Sequence, residues 1–148
     1  FNTGIRSDCA PLNSIIEKIL NNFKGVKYMR DLTRGGLATS LKEIASSSSD
    51  IDIVIKEEEI PIDGEVRGIC EILGLDPLYL ANEGKFVIFV DEKESLSLLD
   101  FMREDLGLRN SSMIGEVTKG SGNVFLRTTI GGTRRLNMLS GTPLPRIC

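Results

Sequence analysis

The N-terminal third of the chain carries two helical patterns of apolar residues on either side of a short strand pattern. Apolar residues from Leu12 to Phe23 recur every three or four positions, with Pro11 before them and Gly25 just after, which predicts an amphipathic helix. Val26–Met29 then fits a short strand. A second helix is predicted by the spacing of Leu37, Leu41, Ile44 and Ala45, and the serines at 46–49 end it.

The middle of the chain alternates strand and helix patterns. Isoleucines at every second position of 51–55 predict a strand with one buried face, and Glu57–Glu59 follows as a solvated acidic turn. A third helix begins after Pro61 and Asp63 and ends at Gly74. The unbroken apolar run in Lys85–Val90 predicts a central strand that is covered on both faces. The inward residues predicted for the third helix are Val66, Ile69, Cys70 and Leu73.

The last third predicts one helix and several short strands. The helix runs from about Glu92 to Leu106, and Met113–Val117 and Asn123–Thr128 are predicted to pair across Lys119–Gly122. Thr133–Met138 adds a further strand. Because helices outnumber a small mixed, mainly antiparallel sheet, the predicted fold class is an α+β two-layer domain over residues 1–140. The inward residues predicted for the last helix are Leu96, Leu99, Met102 and Leu106.

Composition and charge narrow the possible functions. The chain has 148 residues, enough for one domain with a real core, and its net charge of -3 offers no broad basic surface for nucleic acid or an anionic membrane. No apolar run approaches the ~20 residues of a membrane span, and no signal peptide is recognisable. Three cysteines far apart in sequence favour neither a disulfide framework nor a zinc site, so a reducing cytoplasm fits best.

Histidine is absent, which excludes Ser-His-Asp and Cys-His nucleophile pairs and any histidine-ligated metal within this chain. Acid-base chemistry must therefore use carboxylates, lysines or groups of another chain. The chain begins at Phe1 rather than at a methionine, and we expect it to be a fragment of a longer protein.

Residues 141–148 are predicted to form an extended, mobile arm, because Pro143 and Pro145 favour extended backbone and no helical or strand periodicity is present. The arm ends in Cys148 and reaches at most about 26–29 Å from Gly141. A terminal cysteine without function is the alternative. Prenylation needs the cysteine four positions from the end, so Cys148 does not fit a lipid anchor.

Two polar clusters are candidates for a site. In Asp31–Gly36, two glycines at the start of a helix expose backbone N–H groups to phosphate oxygens, and Arg34 adds further donors. In Ala81–Lys85, Glu83 is a carboxylate beside a strongly apolar strand, where it can serve as a general base. An ordinary helix-entry turn and an ordinary strand-entry turn are the alternatives.

Seven stretches together closely resemble the C-terminal half of the HypE family of nickel-iron hydrogenase maturation proteins, over essentially the whole chain. The glycine turn is shared more widely in the PurM-like superfamily of ATP-using enzymes, whereas the terminal Pro-Arg-Ile-Cys singles out the HypE family. The stretches are Ser7–Asn13, Met29–Thr39, Leu73–Pro77, Ala81–Lys85, Ile114–Val117, Ile130–Arg134 and Pro145–Cys148.

The resemblance implies a chemical role for named residues. In that family the terminal cysteine, here Cys148, is carbamoylated by HypF, and ATP then drives dehydration of the thiocarboxamide to a thiocyanate. Glu83 matches the expected base, and Asn82 and Lys85 would hold the pocket. Leu32 stands where many members have proline, which changes turn rigidity but removes no donor. The residues expected to face nucleotide phosphate are Asp31, Thr33, Arg34, Gly35 and Gly36.

The resemblance also implies cofactors and partners. ATP and Mg²⁺ would be the cofactors, with the metal ligands in an N-terminal half that precedes this chain, so this chain would supply no metal ligand. HypF and the HypC–HypD scaffold would be partners, and the whole protein would form a homodimer. This piece alone should fold but bind ATP poorly and be inactive. The alternatives are a non-catalytic carbamoyl acceptor and another PurM-like synthetase, although the terminal sulfur argues against the latter.

Overall fold

The structure is a computed structural model that describes residues 7–138, so the predicted arm at 141–148 and Cys148 lie outside the described residues. Four α-helices and six strands are assigned in this part of the chain, and none of its helices has the length and apolar composition of a membrane span. In chain order they are α1 (Asn13–Asn22), β1 (Val26–Asp31), α2 (Gly36–Ser48), β2 (Ile51–Lys56), α3 (Gly64–Leu73), β3 (Phe86–Val90), α4 (Glu92–Asp100), β4 (Gly115–Lys119), β5 (Val124–Arg127) and β6 (Thr133–Leu136).

The strands form two sheets within the described residues. Strands β1 and β3 pair antiparallel, and the other four run in the order β4-β2-β5-β6. Within the larger sheet, β2 is parallel to β5 and the remaining pairs are antiparallel. Helix α2 packs on one face of β2 and β5, where Leu41, Ile44 and Ala45 meet Ile53 and Leu126 in the core. These features confirm the predicted α+β class with a mixed, mainly antiparallel sheet.

The predicted pairing of the strands around Lys119–Gly122 is wrong, because β2 lies between β4 and β5. The side chain of Asp52 holds the loop that connects β4 to β5. One of its carboxylate oxygens accepts hydrogen bonds from the backbone N–H groups of Ser121 (2.9 Å) and Asn123 (2.8 Å). The loop therefore crosses over the first residues of β2, and β5 lies on the other side of this strand from β4.

Strand β3 is not central, since it pairs with β1 alone in the described part of the chain and all five of its residues are half-buried. Its unbroken apolar run has another cause. Val87 and Phe89 pack against the main core, whereas Phe86 lies on the side of α1. Both faces of β3 therefore contact apolar groups, which explains its unbroken apolar run in a sheet of two described strands.

Two predicted inward residues are exposed: Leu73 at 57% and Leu96 at 65%. Leu73 is the last residue of α3, beyond the point where Cys70 enters the core. In the predicted fourth helix the buried residue is Leu98; α4 ends at Asp100, and a single π turn follows over Phe101–Asp105. Cys70 is a core residue as predicted, and burial, with a smaller effect of the Asp76 charge, raises the pKa of its thiol.

Candidate functional site

The glycine turn joins β1 to α2 and depends on backbone conformations that favour glycine. Gly35 and Gly36 have φ angles of 67° and 61°, and α2 begins at Gly36. A Cβ atom at Gly36 would lie 2.5 Å from the carbonyl oxygen of Leu80 and 2.6 Å from that of Leu78. The turn is therefore packed directly against the segment that leads to Ala81–Lys85.

Backbone hydrogen bonds join the two predicted clusters. The N–H of Leu32 donates to the carbonyl oxygen of Lys85 (3.1 Å), and the N–H of Asn82 donates to the carbonyl oxygen of Leu32 (3.0 Å). Both bonds continue the pairing of β1 with β3 beyond Asp31 and Phe86. The fold thus brings the glycine turn and the loop of Glu83 into one site.

The segment around Asp8 is a third part of this site, and it was not predicted as a site segment. The ammonium group of Lys85 donates to the Asp8 carboxylate (3.0 Å) and to the side-chain oxygen of Asn82 (3.0 Å). A Cβ atom at Gly84 would lie only 1.7 Å from the carbonyl oxygen of Asp8. The resemblance over Ser7–Asn13 was the available signal, but no spacing rule connects Asp8 with Lys85.

The other charged side chains of the candidate site are exposed to solvent. Asp31, Arg34 and Glu83 are exposed, and neither Arg34 nor Glu83 makes an ion pair within residues 7–138. The Thr33 hydroxyl donates to the Asp31 carboxylate (3.3 Å). The apolar surroundings expected for Glu83 are therefore not supplied by the described part of this chain, and its role as a base stays a prediction.

Two buried hydroxyl groups lie in the first turns of α2. Thr39 Oγ1 and Ser40 Oγ have no hydrogen-bond partner among the described residues, and Thr39 Oγ1 lies beside Gly35. Unpaired buried hydroxyls are costly unless a ligand or water completes them. Both hydroxyl groups are closed to solvent, so the groups that can meet a phosphate from solution are the exposed side chain of Arg34 and the N–H groups at the start of α2. No group of three or more candidate metal ligands occurs within residues 7–138.

A cleft of about 310 Å³ borders the end of β1 next to this site. It lies between α1 and the two-stranded sheet, and most of its walls are apolar. Its polar residues lie at the end that leads into the glycine turn. The lining residues are Leu12, Ile16, Met29, Arg30, Asp31 and Phe86.

Comparison with known families now identifies the domain. The family described as AIR synthase related protein, C-terminal domain, matches residues 2–127. The chain belongs to this family. The glycine turn and the loop of Glu83 both lie within the residues that match this AIR synthase-related domain.

The relatives of this AIR synthase-related domain include proteins of one maturation pathway. The carbamoyl dehydratase HypE of Rhodobacter capsulatus is 46% identical over 97% of this chain, which spans 42% of that protein. A crystal structure of the hydrogenase maturation protein HypE in complex with ATP superposes with a TM-score of 0.91 at 39% identity, over 100% of this chain and 45% of that one. A HypE–HypF complex gives 0.86 at 39% identity, over 94% and 45%. The predicted resemblance to HypE is confirmed.

Proposed function

We propose that this chain is the C-terminal half of an ATP-dependent carbamoyl dehydratase, which converts a carbamoylated Cys148 to a thiocyanate for the cyanide ligands of nickel-iron hydrogenase. The observation that carries the proposal is the pair of backbone bonds between Leu32 and the loop of Glu83. These bonds place the N-terminus of α2, which is suited to bind a phosphate group, close to the exposed carboxylate of Glu83. The similarity to HypE supports the choice of reaction.

The chemistry needs an activated oxygen and a base. ATP, when bound, supplies the phosphoryl group that turns the thiocarboxamide oxygen into a leaving group. The phosphorylated oxygen would then leave as inorganic phosphate as the C–O bond breaks, and the nitrogen would lose both of its protons, one before this step to solvent and the other to Glu83. S–C(=O)NH₂ thereby becomes S–C≡N, which lacks the elements of one water. Arg34 and the N–H groups at Gly35 and Gly36 hold the negative charge of the phosphate as it departs. Asn82 and Lys85 fix the loop that carries Glu83.

The partners follow from the same proposal. HypF supplies the carbamoyl group, consistent with a relative solved as a HypE–HypF complex. The HypC–HypD scaffold receives the cyano group, and the whole protein acts as a homodimer in the cytoplasm. Magnesium, as the resemblance to the HypE family implies, is held mainly by acidic residues of the N-terminal half of the longer protein.

The open arrangement of the site supports the proposal that this chain alone is inactive. Asp31, Arg34 and Glu83 all face solvent, and the longer protein is required to cover them. Isothermal titration calorimetry of the 148-residue chain with magnesium and ATP should show no binding in the micromolar range. Micromolar affinity would contradict this part of the proposal.

Intact-mass spectrometry of the longer protein tests the function. After incubation with HypF, carbamoyl phosphate and ATP, we expect an adduct of one carbamoyl group that subsequently loses one water. Cys148→Ala should abolish the adduct, and Cys9→Ala is the matched control that should retain it. An unchanged adduct in Cys148→Ala would end the assignment, and an adduct that never loses water would favour the non-catalytic acceptor.

A further inference from the structure

The ammonium group of Lys85 is bound by groups other than its near neighbour Glu83. It donates to the Asp8 carboxylate (3.0 Å) and to the side-chain oxygen of Asn82 (3.0 Å). The Cα atoms of Glu83 and Lys85 are at most about 7 Å apart, because a single residue separates them, and lysine carries its charge on a long flexible stem. An ion pair between Lys85 and Glu83 is therefore within reach, yet Glu83 makes none in the part of the chain from 7 to 138.

Packing and hydrogen bonds fix the two groups that hold Lys85. The backbone carbonyl of Asp8 lies against Gly84, where no space remains for a Cβ atom, so the position of Asp8 does not depend on the ion pair alone. The side-chain nitrogen of Asn82 donates to the carbonyl oxygen of Leu80 (2.8 Å), which leaves the oxygen of the same amide to accept from Lys85. Lys85 thus meets a carboxylate and an amide oxygen whose places are already set.

The position of this cation matters for a carboxylate that acts as a base. A positive charge beside a carboxylate favours its ionised form, which makes it a weaker proton acceptor. The segments packed against the loop of Glu83 carry three further charged side chains of the site, namely Asp8, Asp31 and Arg34. Arg34 is assigned above to the departing phosphate. Among the described residues of the site, Lys85 is therefore the cation whose placement determines whether Glu83 is paired.

We propose that Asp8 is a positioning residue that keeps Lys85 paired away from Glu83, so that the Glu83 carboxylate remains available as the base. The inference rests on the proposed function of Glu83. The ion pair is half-exposed, with 34% of the Asp8 side chain and 51% of the Lys85 side chain accessible to solvent, so it adds little to stability. Its effect is instead to determine which carboxylate the lysine meets.

Titration of the Glu83 carboxyl in the 148-residue chain measures this effect without any reaction. Carbon-13 NMR of labelled glutamate follows the group, and Glu83→Gln assigns its signal. We expect Asp8→Asn to lower the pH at which Glu83 titrates by about 0.5–1 unit, because Lys85 is then able to pair with it. Loss of the Asp8 charge by itself also lowers that pH, but this direct effect persists in the Lys85→Met background. The shift caused by Asp8→Asn should therefore fall to less than about half in that background.

Dehydration by the longer protein provides the second measurement. Asp8→Asn should slow dehydration about two- to threefold and move the acidic limb of its pH profile to lower pH, with unchanged carbamoylation by HypF and unchanged KM for ATP. Asp91→Asn is the matched control, because it breaks an ion pair with Lys27 of similar length (2.9 Å) and exposure outside the site. This control should leave both the rate and the pH profile as in wild type.

The two measurements separate failure of this inference from failure of the proposed function. An unchanged titration of Glu83 in Asp8→Asn, or an equal shift with and without Lys85, would overturn the inference alone. Slowing by Asp8→Asn that is as large in the Lys85→Met background would also overturn it, since Asp8 would then act on the loop directly. Failure of the wild-type protein to form any thiocyanate would overturn the proposed function and, with it, the role of Asp8 in catalysis.

Discussion

The N–H of Asn82 donates a hydrogen bond to the carbonyl oxygen of Leu32 across 3.0 Å, which makes the glycine turn and the loop of Glu83 one structural unit. The bond from the N–H of Leu32 to the carbonyl oxygen of Lys85 (3.1 Å) links the two segments a second time. Because Gly36 and Gly84 are both packed against backbone in this unit, their substitution should report on its integrity.

Substitution of Gly36 by alanine should destabilise the chain more than the same substitution at Gly74. Both residues have positive φ angles, but a Cβ atom meets backbone at Gly36 and nothing within 4 Å at Gly74. We expect a loss of about 1–2 kcal/mol for Gly74→Ala from backbone strain and about 2–5 kcal/mol for Gly36→Ala from strain and overpacking. Urea unfolding followed by circular dichroism measures both, and equal losses would contradict the packing described here.

Substitutions at Gly84 and Gly68 should have opposite signs. A Cβ atom in Gly84→Ala would displace the backbone carbonyl of Asp8 and weaken the ion pair between the Asp8 carboxylate and Lys85. We therefore expect the free energy of unfolding to fall by roughly 1–3 kcal/mol. Gly68 lies inside α3 with open space around it, and Gly68→Ala should stabilise by about 0.5–1 kcal/mol. Hydrogen exchange should also show faster exchange of the Leu32 and Asn82 amides in Gly84→Ala only. Protection equal to wild type would show that the Asp8 segment does not support this loop.

Acidification should remove the stabilising effect of Asp52. The N–H groups of Ser121 and Asn123 donate to its carboxylate and hold the pKa of this carboxyl below its usual value. The charged form is favoured in the folded state, so the stabilisation is complete above the unfolded pKa of about 3.9 and is lost as the pH falls through the folded pKa.

Thermal unfolding of Asp52→Asn measures this effect across pH. The variant should melt below wild type at about pH 7, and the difference should shrink below about pH 4. Asp50→Asn is the control, since no hydrogen bond or ion pair of the Asp50 side chain occurs in the described part of the chain. A difference between Asp52→Asn and wild type that stays constant down to about pH 2 would show that the two hydrogen bonds do not favour the charged carboxylate.

The sequence predicts the elements better than their arrangement, because periodicity reports burial of a face and not the identity of a neighbour. The isoleucines of β2 indicate a buried face, but they do not indicate that β2 lies between β4 and β5, where the loop after β4 is hydrogen-bonded to Asp52 and to the backbone of Asp50 and Ile51. Likewise the apolar run of β3 predicts a central strand covered on both faces, whereas its five residues are half-buried and it pairs with β1 alone in the described part of the chain.

The same limit applies to the candidate site. Both polar clusters are recognisable in the sequence, but their union depends on the register of β1 against β3, where Asp31 faces Phe86. Asp8 has no partner at a regular spacing, so its contact with Lys85 could not be predicted. Cys148 lies outside the described residues, and its role rests on the resemblance and on the experiments above.

Dehydration by the Glu83→Gln variant of the longer protein tests the central claim most directly. Time-resolved intact-mass spectrometry with HypF, carbamoyl phosphate and ATP follows carbamoylation and loss of water separately. We expect carbamoylation at the wild-type rate and dehydration slowed by about a hundredfold or more, with Glu59→Gln behaving as wild type. Dehydration by Glu83→Gln at the wild-type rate would contradict the account.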